Sequence, residues 1–163
     1  MNQYFRIQSL KMSRNIELIR KTRSKILEVI SGLNVQQLNK VPEGFNNNII
    51  WNLGHLIAAQ EGIFYLRGKL ELNIDQDFFN SFKNGSRPER EIDAEEIEII
   101  RSLLFTSLDQ FESDLQKNVF SNYPAWTTSM GIEINSIEDA INYLPFHEGL
   151  HFGQISAIKR VIG

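Results

Sequence analysis

The chain has 163 residues, 42% of them hydrophobic and 23% charged, with 10 glycines and 4 prolines; this suits one domain with one substantial core and excludes disordered, collagen-like and low-complexity classes. Seventeen basic against 20 acidic side chains leave a formal charge of -3, so the whole-molecule field does not attract a phosphate backbone and nucleic acid is not an expected partner. The absence of cysteine excludes disulfides, thiolate ligands and a cysteine nucleophile, and leaves imidazole and oxygen to hold any metal.

Met1 to Ser13 lacks the apolar centre of a signal peptide, and no stretch approaches the roughly 20 apolar residues of a membrane span. A single cytoplasmic domain over residues 1–163, with no membrane partner, is the expectation. Ile16, Ile19, Ile26, Ile30 and Leu33 then fall at helical spacing, with Ser13 as N-cap and Gly32 as a stop, and define a first helix. The basic residues crowded on it, Lys11, Arg14, Arg20, Lys21, Arg23 and Lys25, read as a solvated face.

A polar loop with Pro42 and Gly44 leads to Asn46–Asn48, which offer caps for a second helix through Ile49, Leu53, Leu56, Ile63 and Phe64, ending near Gly68. Residues 69–92 carry Asn, Gly and Pro and form a connection much longer than the roughly 2 to 8 residues usual between bundle helices, long enough to cross a bundle. Asp93 with Glu96 resembles a capping box ahead of a third helix through Ile97, Ile100, Leu104, Leu108, Phe111 and Leu115. Residues 118–135 are a second long loop. Ser136 then caps a fourth helix whose stripe reads Ile137, Ile141, Leu144, Glu148, His151, Ile155, Ile158 and Ile162, with a kink or break expected at Pro145. The predicted class is all-α, four helices in a bundle.

Glu148 and His151 occupy stripe positions that periodicity assigns to the core. A buried carboxylate costs several kcal/mol unless it is paired, so Glu148 needs a partner, water or a shifted pKa. His147 and His151 lie four residues apart and can reach one ion from the same side of the helix. The third histidine of the chain, His55, sits early in helix two between Trp51 and Ala59, with Ala58 and Gly62 further along; these small residues serve either close helix packing or space beside a ligand. Three imidazoles on two helices make a three-histidine site with an open position, as a catalytic zinc or similar ion uses. Imidazole accepts most first-row divalent ions, so zinc ranks first only on general frequency, and nickel, iron and manganese fit as well.

His147-Glu148-Gly149-Leu150-His151 also matches the H-E-x-x-H pattern of zinc metalloproteases. Those enzymes generally take a third ligand from downstream, and Phe152 to Gly163 contains no His, Asp or Glu, which argues against a protease. Two roles remain for Glu148: a catalytic carboxylate serving water at the metal, or a buried group that hydrogen-bonds a ring nitrogen or loop backbone.

Trp51-Asn52-Leu53-Gly54-His55-Leu56 and His147-Glu148-Gly149-Leu150-His151-Phe152-Gly153-Gln154-Ile155 together resemble the DinB-like, or YfiT-like, superfamily of metal-binding four-helix bundles. The resemblance implies an up-down-down-up bundle with a long crossover between helices two and three, a divalent metal on His55, His147 and His151, and frequent homodimers. It also implies a small-molecule substrate, with low-molecular-weight-thiol S-transferases, thiol-dependent isomerases and metal-dependent hydrolases as the enzymes of this kind. Trp51, Asn52 and Gln154 are the candidate substrate-binding residues. The alternative is a non-catalytic metal-binding or interaction protein with structural histidines, since one scaffold hosts many sites.

Overall fold

In the computed structural model, residues 3–163 are described, with side chains from Met12 onward. The chain is mostly helical: α1 (Gln3–Ile30), α2 (Val35–Asn39), α3 (Ile49–Glu61), α4 (Gln76–Phe82), α5 (Ala94–Gln116) and α6 (Ile137–Ile162), plus two-residue strands β1 (Trp126–Thr127) and β2 (Glu133–Ile134) paired antiparallel. Among the described helices, α1 packs on α5 and α6, and α3 packs on the same two. Among the described residues, no helix is long and apolar enough to cross a membrane.

Helix α1 runs well upstream of Ser13, which is a helical residue and not a cap. Nothing in the preceding sequence, which has no Gly or Pro, interrupts the helical backbone. Arg20 pairs with Asp109 and Glu112, Lys21 with Glu17, and Lys25 with Glu28, as a solvated basic face should. Arg23 departs from that reading because it is fully buried. It fills the gap between Ile19 and Ile26 in the apolar stripe, so the helical period carries it inward. The Lys11 side chain lies outside the described residues.

The turn after α1 leads into α2, one turn of helix with a reciprocal capping box between Asn34 and Gln37 and a single buried anchor, Leu38. Such a short helix leaves no periodic signature. Gly44 takes φ +81°, and Phe45 N–H donates to the Pro42 carbonyl to close the turn before α3. Asn48 caps α3 by accepting from Trp51 N–H. Helix α3 is buried on almost every side and continues as a π-helical segment, Gly62–Leu66, in which Arg67 N–H reaches back to the Gly62 carbonyl at 3.0 Å. The Ile63 carbonyl accepts from the Tyr123 hydroxyl, tying the loop after α5 to this segment. Trp126 donates to Tyr123 at 2.9 Å, and the Arg67 guanidinium lies 4.8 Å over the Trp126 ring.

The crossover between α3 and α5 is not a plain loop, because α4 lies within it. Asp75 caps α4 by accepting from Asp77 and Phe78 N–H, and Phe79 and Phe82 are its buried anchors. Two turns gave too short a pattern to stand out, although Phe78, Phe79 and Phe82 have helical spacing. Helix α5 begins at the expected capping box of Asp93 and Glu96, and α6 at Ser136. Helix α6 passes through Pro145 without a break. Proline removes one backbone donor, and the buried side chains on either side, Leu144 and Glu148, keep the helix packed.

Among the described residues the apolar core falls into two clusters. One contains Ile26, Ile30, Leu53, Leu56, Leu104 and Ile155; the other contains Ile16, Ile19, Phe64, Leu108, Phe111 and Leu144. On each long helix a buried polar residue sits between them: Arg23 on α1, Gln60 and Glu61 on α3, Ser107 on α5 and Glu148 on α6.

Candidate metal centre

The first part of α3 carries one ligand and most of the scaffold for the others. Trp51 and His55 are one turn apart and stack, ring centroids 4.7 Å apart and planes 9° apart. His147 and His151 are one turn apart on α6, with centroids 4.6 Å apart. Packing of α3 on α6 brings His55 to 5.2 Å and 4.6 Å from those two rings. One nitrogen from each imidazole lies within 4.8 Å of the others, so the cluster could hold a metal ion.

Hydrogen bonds decide which nitrogen is available. His55 Nδ1 lies 2.7 Å from the Phe82 carbonyl. A carbonyl only accepts, so Nδ1 carries the proton and Nε2 keeps its lone pair. His151 Nδ1 lies 2.8 Å from Asn52 Oδ1. The amide orientation is set by Asn52 Nδ2, which donates to the Asn48 carbonyl at 2.7 Å, so Oδ1 must face His151 as an acceptor. His151 Nε2 is thereby left free. Asn48 is itself held by a donation from its Nδ2 to the Asn39 carbonyl at 2.8 Å. Partners of this kind orient the ligand imidazole and raise its basicity in metal sites. His147 Nδ1 is buried and has no partner.

The imidazoles are neutral at physiological pH. Burial pushes His147 down to about 3, helped by the charge that His151, His55 and Arg23 would oppose to its protonation. Burial pushes His151 down to about 4, with His55 acting in the same direction. His55 is lowered by burial and partly restored by its bond to Phe82. Neutral imidazole is the form that binds a metal, so no proton has to be displaced.

The glycine of the Trp51–Leu56 segment has a packing reason. A Cβ on Gly54 would lie 2.4 Å from the Phe82 ring, so only glycine lets α4 approach closely enough to offer its last carbonyl to His55. On the small-residue face around His55, a Cβ at Gly62 would meet the Phe79 ring at 3.5 Å, an ordinary van der Waals contact, so α4 borders that position.

Glu148 has a partner other than a ring nitrogen or the loop backbone. Its Oε1 accepts from Arg23 Nε at 3.0 Å and Nη2 at 2.6 Å, with both side chains fully buried. Burial pushes the Glu148 carboxyl up while Arg23 pulls it back. Asn52 is fully buried and engaged with His151 and Asn48. Trp51 is nearly buried; its Nε1 donates to Ser86, and its ring also lines a cavity of about 830 Å³ with Phe78, Phe82, Ile92 and Ile100. Gln154 is exposed on α6. Sequence reading missed Asn48, the Phe82 carbonyl and Arg23 as parts of this centre; only Arg23 left a signal, as the gap in the α1 stripe.

No curated protein matches the chain. The profile of the DinB superfamily matches residues 18–155, which runs from α1 into α6 and includes all three histidines. Motif, helical architecture and triad coincide over that span, and the chain belongs to the DinB superfamily.

Proposed function

We propose that this protein is a metal-dependent enzyme acting on a small molecule, a thiol S-transferase or a hydrolase, with the ion held by His55, His147 and His151. The observation that carries the reading is that two of the three imidazoles have their Nδ1 protons committed to buried acceptors, leaving Nε2 free in a cluster within 4.8 Å. An arrangement of that kind is costly to keep without an ion, because like ring nitrogens are held together while burial keeps them uncharged. Zinc is first choice, with nickel, iron and manganese accepted by the same donors. A divalent ion there supplies Lewis acidity to a thiol or a water attacking a small electrophile.

The chain's own residues do the positioning. Phe82 and Asn52 orient the imidazoles, Trp51 stacks on His55 and shields its face, and Gln154, exposed one turn beyond His151, meets substrate. Glu148 acts through Arg23 rather than on substrate, since one carboxylate oxygen is already engaged by the guanidinium. The packing of α1 and α3 each on α5 and α6 supports an up-down-down-up four-helix bundle. A second reading, a non-catalytic partner-binding protein or homodimer, is favoured by Phe146 and Leu150, which are 45% and 48% exposed on α6 beside the histidines.

Elemental analysis of protein purified without a histidine tag tests the metal directly. About one divalent ion per chain is expected, and His151→Ala should lose it. Full metal content in that variant defeats the site assignment. Chelation that strips the ion without altering any screened transferase or hydrolase activity favours the partner-binding reading.

A further inference from the structure

The polar layer between the two apolar clusters contains more hydrogen-bonding atoms than the protein satisfies. Arg23 touches the other three long helices: it donates to Glu148 on α6, to the Leu104 carbonyl on α5 at 2.6 Å and to the Leu56 carbonyl on α3 at 3.4 Å. Gln60 stands one turn beyond Leu56; its Nε2 and Oε1 are buried and make no hydrogen bond of normal geometry, although its amide lies near enough to Glu61 to favour that carboxylate. Glu148 Oε2 is in the same condition. Glu61 accepts from Asn73 N–H with Oε2 at 2.9 Å, while its Oε1 is buried and unpartnered. Glu148, which Arg23 contacts directly, follows the ligand His147 in sequence, and Glu61 follows Gln60, so the unpaired groups of the layer come from the two helices that carry the histidines.

Buried polar atoms in native proteins are almost always paired, with protein or with ordered water. The unpaired set comprises one amide donor, one amide oxygen and two carboxylate oxygens, so the missing ligand must both donate and accept. Arg23 already balances the charge of Glu148, which removes the electrostatic reason for a cation. A neutral donor and acceptor small enough for a closed helical interior is water.

We propose that the layer is a built water site, in which buried water bridges Gln60, Glu61 and Glu148 and also accepts a hydrogen bond from His147 Nδ1–H. The second half rests on the metal reading. His55 has the Phe82 carbonyl and His151 has Asn52, whereas His147 alone lacks an acceptor for Nδ1. Water held by Glu148 and Gln60 completes the set. Glu148 thus becomes a positioning residue, linked to the ligand that precedes it through solvent rather than by contact.

The test is water-oxygen magnetic relaxation dispersion on the full chain, metal-stripped and zinc-loaded, comparing wild type with Gln60→Met. Wild type is expected to hold long-lived water in both states, and Gln60→Met to lose at least one such molecule with unchanged helical circular dichroism. Zinc affinity, read by competition with a chromophoric chelator, should fall about tenfold in the same variant. An unchanged dispersion amplitude overturns the water site; loss of water with unchanged zinc affinity overturns its link to His147. Should wild type bind no zinc, the metal reading fails and the water count still decides the first half. If Gln60→Met does not fold, a high-resolution crystal structure of wild type decides it: density bridging Gln60 and Glu148 supports the site, and an empty layer refutes it.

Discussion

Replacing Glu148 by leucine is predicted to damage the fold more than replacing Arg23 by methionine, although the two side chains form a single pair. Arg23 is fully buried and cannot shed its charge, so Glu148→Leu leaves a guanidinium with only the Leu56 and Leu104 carbonyls as partners. Breaking a buried pair in this way costs about 3–5 kcal/mol. In a domain of this size that corresponds to a melting point lower by about 6–20 °C. Arg23→Met leaves a carboxyl instead, and a carboxyl can neutralise itself. Burial already holds Glu148 above its ordinary value, and losing Arg23 raises it further. A raised native pKa means that the folded state binds more protons than the unfolded one. The stability of Arg23→Met should therefore be greatest below the ordinary carboxylate range and decline as pH rises through the elevated value. The double variant Arg23→Met, Glu148→Leu removes both charges, and the two carbonyls keep their helical donors, so most of the loss should be recovered. Chemical denaturation of the four proteins from pH 5 to pH 8 measures all of this. Equal single losses that add in the double variant, with no pH dependence in Arg23→Met, would refute the reasoning.

Asn52→Leu removes the acceptor for His151 Nδ1–H and should weaken metal binding about 10- to 100-fold. Asn52→Asp keeps that acceptor, so it should bind more tightly than the leucine variant in a chelator competition; equal affinities would show that the bond does not orient the ring. Gly54→Ala drives a Cβ into the Phe82 ring and displaces the carbonyl that holds His55, so it should lower both melting point and metal affinity. A variant with native values on both counts would separate Phe82 from the site. Glu61, pushed up to about 7 by burial, destabilises the fold progressively as pH rises from the ordinary carboxylate value to neutrality. Glu61→Gln should abolish that slope and gain on the order of 2–3 kcal/mol at pH 8 relative to wild type, provided that the amide keeps the bond from Asn73. A parallel pH profile in the two proteins would contradict it.

The four long helices were legible because each repeats its apolar residues over enough turns for the period to show, and because Asn48, Asp93 and Ser136 mark three of the starts. The His147 and His151 pair was legible for the same reason, since spacing along one helix is local. Helices α2 and α4 escaped because one or two turns carry no period, and α4 owes its place to Phe82 packing on Gly54 of α3 and Phe79 on Gly62 of the π-helical segment that follows. The burial of Arg23 and its pairing with Glu148 join residues 125 apart, and the placement of Phe82 behind His55 joins residues 27 apart. A linear sequence says which side chains are able to donate, accept or ligate. Which atom of an imidazole is left free depends on what packing sets behind it, and tertiary structure alone decides that.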